Sequence, residues 1–224
     1  MQNTANTKSC NSNQAGLTKT LCNTATTPQN VPGPATMNRC EFDLQVFRPS
    51  DATAIIQPTI LNTAIHGHIK LDSQHIVVDF TIIGDISLIK HSPITPTPKR
   101  KDNLWQSTCF EVFTAATMEP DYWEYNIAPS HNWNVYHFDA YREGQTLDPL
   151  VGAIKIKTQY ANKNLNTITA SLPLSPRLAG KEISLGISCI LQDINNNLNY
   201  YALVHPAHKP DFHDKRGFVI RLNH

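Results

Sequence analysis

Two glutamates, Glu111 and Glu124, are the side chains with the clearest potential to do chemistry. Each lies in a short β-rich run, and the segment AATMEPD, which contains turn-forming residues, separates the two runs. If the runs form a hairpin that turns near Met118, Glu111 lies across from Glu124 or Asn126 on one sheet face. Neighbouring carboxylates repel each other unless Arg142, a bound cation or the hydroxyl groups of a sugar compensates them.

The glutamate pair has three interpretations from sequence. The first interpretation is a buried network in which the glutamates bond Arg or backbone groups and so fix the sheet. It rests on the rule that buried polar groups normally find hydrogen-bond partners within the protein. A ligand contact is the second interpretation, and general acid/base catalysis is the third. A glycosidase needs two carboxyl groups across an open cleft, and no pattern in the sequence indicates that geometry.

The stretch YWEYNIAPSHNWNVYHFDAYR, residues 122–142, holds seven of the 18 aromatic residues of the chain. Strand alternation places Tyr122, Glu124 and Asn126 on one face. The other face, formed by Trp123, Tyr125 and Ile127, is apolar. The apolar face is predicted to pack into the core. Large aromatics outside the core either stack on a flat ligand such as a sugar ring or cap the end of the fold.

The sequence HPAHKPDFHD, residues 205–214, concentrates possible metal ligands. Its two prolines exclude a helical zinc motif, and the spacing selects no particular metal. The competing interpretation is a rigid loop whose His and Asp side chains bond the backbone. The candidate metal ligands are His205, His208, Asp211 and His213.

The elements that must position these residues are short β-strands. Runs rich in Val, Ile, Thr and aromatic residues alternate with Pro-, Gly- and Asn-containing turns, and no long 3.6-residue apolar stripe is present. This pattern predicts an all-β fold, an antiparallel β-sandwich or jelly-roll-like domain. The predicted strands are 52–57, 63–70, 76–83, 108–114, 122–128, 133–138, 151–158, 165–172, 183–191, 198–204 and 217–222, with a helical turn within 175–182.

The first 39 residues have a different composition. They are rich in Thr, Asn, Gln and Ser and contain no Asp, Glu or aromatic residue. Such a segment buries too little apolar surface to offset its ordering entropy, which predicts a disordered N-terminal tail over 1–39 and one domain over 40–224. Met37 is a candidate alternative start.

Composition excludes several classes of partner. The net charge of +1 provides no basic field for nucleic acid. We also expect no membrane partner, because no apolar run approaches the roughly 18 residues of a spanning helix. Five cysteines without a C-x-x-C pair, and no secretory signal, favour a cytoplasmic location with reduced thiols. The oligomeric state is not indicated.

Three segments together resemble the bacterial DOMON-like domain proteins. They are DNLWQSTCFEVF (102–113), YWEYNIAPSHNWNVYHFDAYREG (122–144) and YYALVHPAHKPDFHD (200–214). The resemblance covers about residues 41–224. It implies a β-sandwich related to the DOMON superfamily and to family 9 carbohydrate-binding modules, whose members bind haem or sugars.

The chain departs from that family at two positions. His131 stands at the turn where the family has glycine, and Gln145 stands where it has methionine. Haem-binding relatives use Met and His as axial ligands, but Met118, in a predicted turn, is the only methionine within the domain. We therefore expect no bound cofactor, with haem or a metal ion as the alternatives.

These observations favour non-catalytic binding of a small polar ligand, with a carbohydrate or a similar polar molecule as the expected class. The alternatives are a metal-dependent enzyme or metalloprotein built on the 205–214 loop and a haem-binding electron-transfer domain. In the favoured interpretation the tryptophans and the tyrosine stack on the ligand and the other residues hydrogen-bond to it. The predicted ligand-binding residues are Trp105, Glu111, Glu124, Asn126, Trp133, Tyr141 and Arg142.

Overall fold

The computed structural model of the protein describes residues 38–49, 58–60 and 62–223. Thirteen strands in these ranges join in one continuous antiparallel sheet, which confirms the all-β prediction. The strands are β1 Arg39–Val46, β2 Thr63–Leu71, β3 His75–Gly84, β4 Ile89–Lys90, β5 Cys109–Ala116, β6 Tyr122–Ile127, β7 Trp133–Phe138, β8 Thr146–Leu147, β9 Lys155–Ala161, β10 Asn164–Pro173, β11 Ile183–Asp193, β12 Leu198–Ala202 and β13 Ile220–Leu222.

The sheet forms two layers that share β1. The first layer runs β9-β10-β3-β2-β1 and the second runs β1-β12-β11-β5-β6-β7-β8, with β4 and β13 also paired to β11. Residues 39–44 of β1 pair with β2, and its last two residues pair with β12. Strand β1 was not among the predicted strands, although its sequence RCEFDLQV places Cys40, Phe42 and Leu44 alternately in the core.

The core lies between the layers. The ring of Phe80 on β3 contacts that of Phe110 on β5 at a centroid distance of 4.9 Å. The Tyr125 hydroxyl on β6 donates to the Pro173 carbonyl on β10 at 3.1 Å. Trp123 belongs to the same buried cluster, together with its same-parity neighbours, as the alternation predicted. These contacts confirm a β-sandwich. The second layer packs on the core with one face, and its opposite face points away from the core.

Most predicted strands are confirmed within a few residues. The predicted run 151–158 begins only at Lys155, and the run 217–222 begins at Ile220. A 3₁₀ turn at Pro176–Leu178 accounts for the predicted helical turn. The run 52–57 lies outside the described residues.

The predicted tail and the predicted alternative start at Met37 lie outside the described residues except for Asn38 and Arg39. Arg39, which belongs to the predicted tail, is the first residue of β1 and pairs with Lys70. No helix in the described part of the chain has the length and apolar character that a membrane span needs.

Candidate functional site

The β5–β6 hairpin brings the two glutamates to one face of the second layer. Glu111 pairs directly with Asn126, and Phe113 pairs with Glu124, so the glutamates are diagonal neighbours on that face. The turn passes through Met118, as predicted, which has a positive φ of 74°. All residues of β5, β6 and β7 are buried, because one face packs on the first layer and the other is covered by loops.

A cavity of about 390 Å³ lies over this outer face, and we call it the groove. Its floor comes from β5, β6, β7, β11 and β12, and its walls come from the loops that follow β4, β7 and β12. The size falls within the roughly 300–1,000 Å³ of small-molecule sites. The groove is lined by Trp105, Glu111, Phe113, Glu124, Tyr136, Phe138, Arg142, Gln145, Ile190, Tyr200, Pro210, Phe212 and His213.

Each glutamate is held by one neutral hydrogen-bond donor. The Ser188 hydroxyl on β11 donates to Glu111 Oε2 at 2.9 Å, and the Asn126 amide donates to Glu124 Oε1 at 2.6 Å. Glu111 is 3% exposed and Glu124 is 5% exposed, and both line the groove. The two side chains are therefore fixed in orientation while part of each carboxyl group faces the cavity.

Burial is the main influence on the charge of the pair. It raises the pKa of both carboxyl groups above their ordinary value, and the nearby charge of Glu124 raises the pKa of Glu111 further. Arg142 lowers both pKa values, but burial outweighs its effect. One proton shared by the pair is the arrangement that avoids two adjacent buried charges.

Arg142 does not form an ion pair with either glutamate, contrary to one expectation from sequence. Its Nη2 donates to Asp211 Oδ1 at 2.9 Å. The Tyr141 hydroxyl donates to the other oxygen of Asp211 at 2.5 Å. Burial by itself would raise the pKa of Asp211, but these two hydrogen bonds lower it below its usual value. Arg142 and Asp211 therefore form a compensated pair at the wall of the groove.

His213 lies beside Glu124 as a neutral ring. Burial and the Arg142 charge lower the pKa of His213 to about 4. The Tyr122 hydroxyl oxygen accepts a hydrogen bond from the backbone N–H of Arg142 at 3.1 Å. The Tyr122 hydroxyl proton is then available to His213 Nδ1, which lies 2.8 Å away. The remaining proton of the ring is then on Nε2, 3.8 Å from Glu124 Oε2.

Trp105 occupies the place predicted for a stacking residue. It follows a left-handed Asn103 in a 3₁₀ turn, Leu104–Gln106, lines the groove and is 46% exposed. Part of its indole face is therefore available to a ligand.

Trp133 was wrongly predicted to stack on the ligand. It pairs with Ile127 and shares the core face of the sheet, where it is buried in the main apolar cluster. The Arg100 guanidinium lies over its ring at 4.5 Å. Both faces of β7 carry aromatic residues, so alternation could not select the outward one. The opposite face contributes Tyr136 and Phe138 to the groove.

Tyr141 and Asn126 do not line the groove but hydrogen-bond to acidic residues at the site. Tyr141 is exposed and lies outside the groove, where it supports Asp211. Asn126 is buried between Glu124, to which it donates, and Cys109, whose thiol donates to the Asn126 amide oxygen at 3.4 Å. Both residues position groove residues instead of lining the cavity themselves.

The 205–214 loop does not assemble its predicted metal ligands. His205 bonds the Gln45 carbonyl at 2.8 Å, and His208 is exposed. Asp211 and His213 bond the residues described above. Within the described residues, no group of three or more His, Cys, Asp or Glu side chains is arranged to hold a metal ion. The loop instead forms one wall of the groove through Pro210, Phe212 and His213.

Eight groove residues were not predicted as ligand or metal contacts: Phe113, Tyr136, Phe138, Gln145, Ile190, Tyr200, Pro210 and Phe212. Tyr136 pairs with Glu124, and Phe138 lies two residues further along β7 on the same sheet face. The period-two alternation of strand side chains could therefore have predicted both. Gln145, Tyr200 and Phe212 come from separate parts of the chain, and no local pattern indicates that they converge.

Comparison with known proteins shows similarity of fold. No family model and no curated protein matches the chain. The fold is similar to that of a candidate carbohydrate-binding protein from Bacteroides uniformis ATCC 8492, with a TM-score of 0.55 and 10% identity over 80% of this chain and 83% of the other. This likeness shows a shared architecture.

Two further solved structures align more loosely. Both are a family 9 carbohydrate-binding module from Caldicellulosiruptor kristjanssonii, in complex with cellotriose or glucose. Identity is 14% in each case. The TM-scores are 0.38 and 0.36, over 72% and 71% of this chain and 72% and 74% of the modules. Scores this low carry no argument about this chain.

Proposed function

We propose that the protein is a non-catalytic carbohydrate-binding module whose ligand occupies the groove. The observation that carries the proposal is the combination of fixed hydrogen-bonding groups with an available aromatic face in one cavity. Glu111, Glu124 and Gln145 offer acceptors and donors for hydroxyl groups, and Trp105 offers a flat apolar surface for a sugar ring.

Two further observations support the proposal. The architecture matches that of a candidate carbohydrate-binding protein. Three sequence segments resemble the DOMON-like domain proteins, and those segments contribute Trp105, both glutamates and the 210–213 wall of the groove. We include membership of the DOMON superfamily in the proposal on the basis of these segments.

The test is titration calorimetry of the purified protein with a panel of mono- and oligosaccharides. Trp105→Ala should weaken binding of the best ligand about tenfold or more, since loss of about 1.4 kcal/mol of stacking corresponds to a factor of ten. The matched control is Tyr160→Ala, which removes a half-exposed aromatic from β9 on the other layer. Absence of saccharide binding, or equal affinities in both variants, would contradict the proposal.

A further inference from the structure

We propose that the groove prefers a saccharide that carries a protonated amine beside its hydroxyl groups, which makes a basic amino sugar the ligand class. This inference rests on the proposed carbohydrate binding at the same site. It is drawn from the two carboxyl groups of the groove, which pair with no charged base among the described residues, and from the aromatic residues that line the same cavity.

Each buried carboxyl group keeps one oxygen for a ligand. Ser188 occupies Glu111 Oε2, and Asn126 occupies Glu124 Oε1. None of the described residues donates a hydrogen bond to Glu111 Oε1 or Glu124 Oε2, and His213 Nε2 lies 3.8 Å from Glu124 Oε2, beyond hydrogen-bond distance. Both glutamates line the cavity, so a donor from a ligand can reach these two oxygens.

The nearby bases do not neutralise this pair. Arg142, the one cation lining the groove among the described residues, is bonded to Asp211 at 2.9 Å. His213 is neutral because it is buried. Lys215 donates to the backbone carbonyls of Glu119 and Asp121 and lies outside the lining.

A further carboxylate bonds a groove residue. Asp102 accepts from the Tyr136 hydroxyl at 2.6 Å at the edge of the groove. The remaining ionisable groups that face the cavity are the phenols of Tyr136 and Tyr200, with Tyr122 behind His213. Two glutamates therefore face one compensated arginine, and a bound cation would stabilise their ionised forms and displace the protons that burial retains.

The groove walls also suit an ammonium group. Trp105, Phe113, Tyr136, Phe138, Tyr200 and Phe212 all line the cavity. The negative face of an aromatic ring attracts a nearby cation, and the attraction increases where water is excluded. A neutral hydroxyl at the same position gains neither this attraction nor the ion pair with a glutamate.

A matched set of β-1,4-linked disaccharides tests the inference. Cellobiose, the glucosamine disaccharide and N,N′-diacetylchitobiose differ mainly at carbon 2, which carries a hydroxyl, an amine or an acetamide. Calorimetry at about pH 6.5 keeps the amine protonated, since free amines titrate near or above pH 7.7. We expect the amine to bind at least tenfold more tightly than the other two and to release protons from the glutamate pair.

The variants Glu111→Gln and Glu124→Gln test whether the amine preference depends on the carboxylate charge, because glutamine keeps the side-chain shape and does not ionise. Each should reduce the amine preference to less than about threefold, whereas Glu119→Gln, at an exposed carboxylate in the β5–β6 turn, should leave it unchanged. Because glutamine is nearly isosteric and removes a buried charge, we expect both variants to fold, which circular dichroism checks.

The possible results distinguish the two proposals. Equal affinity for the three disaccharides would leave carbohydrate binding standing and overturn the amine preference. If no disaccharide binds but putrescine binds with proton release, the carbohydrate proposal and the amino-sugar ligand class both fail, and the groove is a site for simple amines. If putrescine also fails to bind, both proposals are wrong.

Discussion

At the scale of single residues, the Glu111–Glu124 pair is the most consequential feature of the molecule. Burial raises the pKa of Glu111 to about 8 and that of Glu124 to about 7, and the charge of Glu124 adds to the shift of Glu111. A carboxyl group whose pKa is higher in the folded state stabilises the fold below its unfolded pKa. That stability is lost as the pH rises through the folded value.

The glutamate pair should therefore make the protein progressively less stable as the pH rises from about 4.5, the ordinary pKa of a glutamate, to about 8. The expected slope is up to about 1.4 kcal/mol per pH unit for each proton retained by the native state. Below about pH 6.5 the lowered pKa of His213 acts in the opposite direction, because the unfolded state then binds the extra proton.

The measurement is the urea midpoint of wild type and Glu111→Gln at several pH values. The variant should gain stability relative to wild type as the pH rises towards 8, because its amide does not ionise. Glu119→Gln is the control and should show no such trend. A constant difference between Glu111→Gln and wild type would show that the pair does not titrate in this range.

Trp123 and Arg142 should differ in their contribution to stability. Trp123 is 1% exposed and its indole N–H donates to Asp148 at 2.6 Å, so Trp123→Ala should cost about 3–5 kcal/mol. The Arg142 side chain is half exposed, and Arg142→Ala should cost only about 1 kcal/mol through its bond to Asp211. Denaturant midpoints of both variants check this. Equal losses would identify the Arg142 network as structural.

The methionine content leads us to expect no haem. Met118, the only methionine of the predicted domain, is 95% exposed in the β5–β6 turn and remote from the groove lining. Protein expressed with haem available should show no Soret band in its absorption spectrum. A stoichiometric band that disappears in Met118→Ala would make haem binding the leading function.

At the scale of elements, β-strand alternation assigns the two faces of β5 and β6 to different tasks. Phe110 and Tyr125 face the core, whereas Glu111 and Glu124 face the groove. A one-residue register slip would exchange these faces and bury the carboxyl groups among apolar side chains. The binding face therefore depends on the same register that holds the core together.

The first layer depends on a close approach between β1, β2 and β3. A Cβ atom at Gly67 would lie 2.2 Å from both the Phe42 ring and the Asp79 carbonyl oxygen. Gly67→Ala should therefore cost about 1–3 kcal/mol by overpacking. Gly152→Ala is the matched control, with no atom within 4 Å of its new Cβ, and should be nearly neutral. Similar thermal midpoints for the two variants would contradict this account.

At the scale of the whole molecule, the N-terminal segment has no predicted role in the stability of the sandwich. Its polar composition predicts that deletion of residues 1–37 changes the melting temperature by less than about two degrees. Differential scanning calorimetry of the truncated and full chains checks this. A decrease of about ten degrees would show that the segment packs on the domain.

The shape of the whole molecule explains why one layer carries the site. The first layer has one solvent-facing side, whereas the second layer packs on the core with one face and supports the loops at 104–106, 141–145 and 210–213 with the other. Those loops enclose the groove because they converge over the same strands. The pairing of Arg142 with Asp211 joins two of them across 69 residues of sequence.

Local patterns in the sequence determined the strands, the antiparallel class and the shared face of Glu111 and Glu124. Strand periodicity and turn chemistry are local properties, and side-chain direction follows from them with a period of two. The same reasoning could have identified β1 from its alternating Cys40, Phe42 and Leu44.

Only the tertiary structure decided which residues complete the groove. Trp133 and Tyr136 lie on opposite faces of β7, both of them aromatic, and contact with the first layer selected Trp133 for the core. Arg142 pairs with Asp211 and not with the glutamates, because the loop that carries Asp211 folds back onto β5 and β6. Such choices depend on long-range packing, which no pattern within one strand or loop contains.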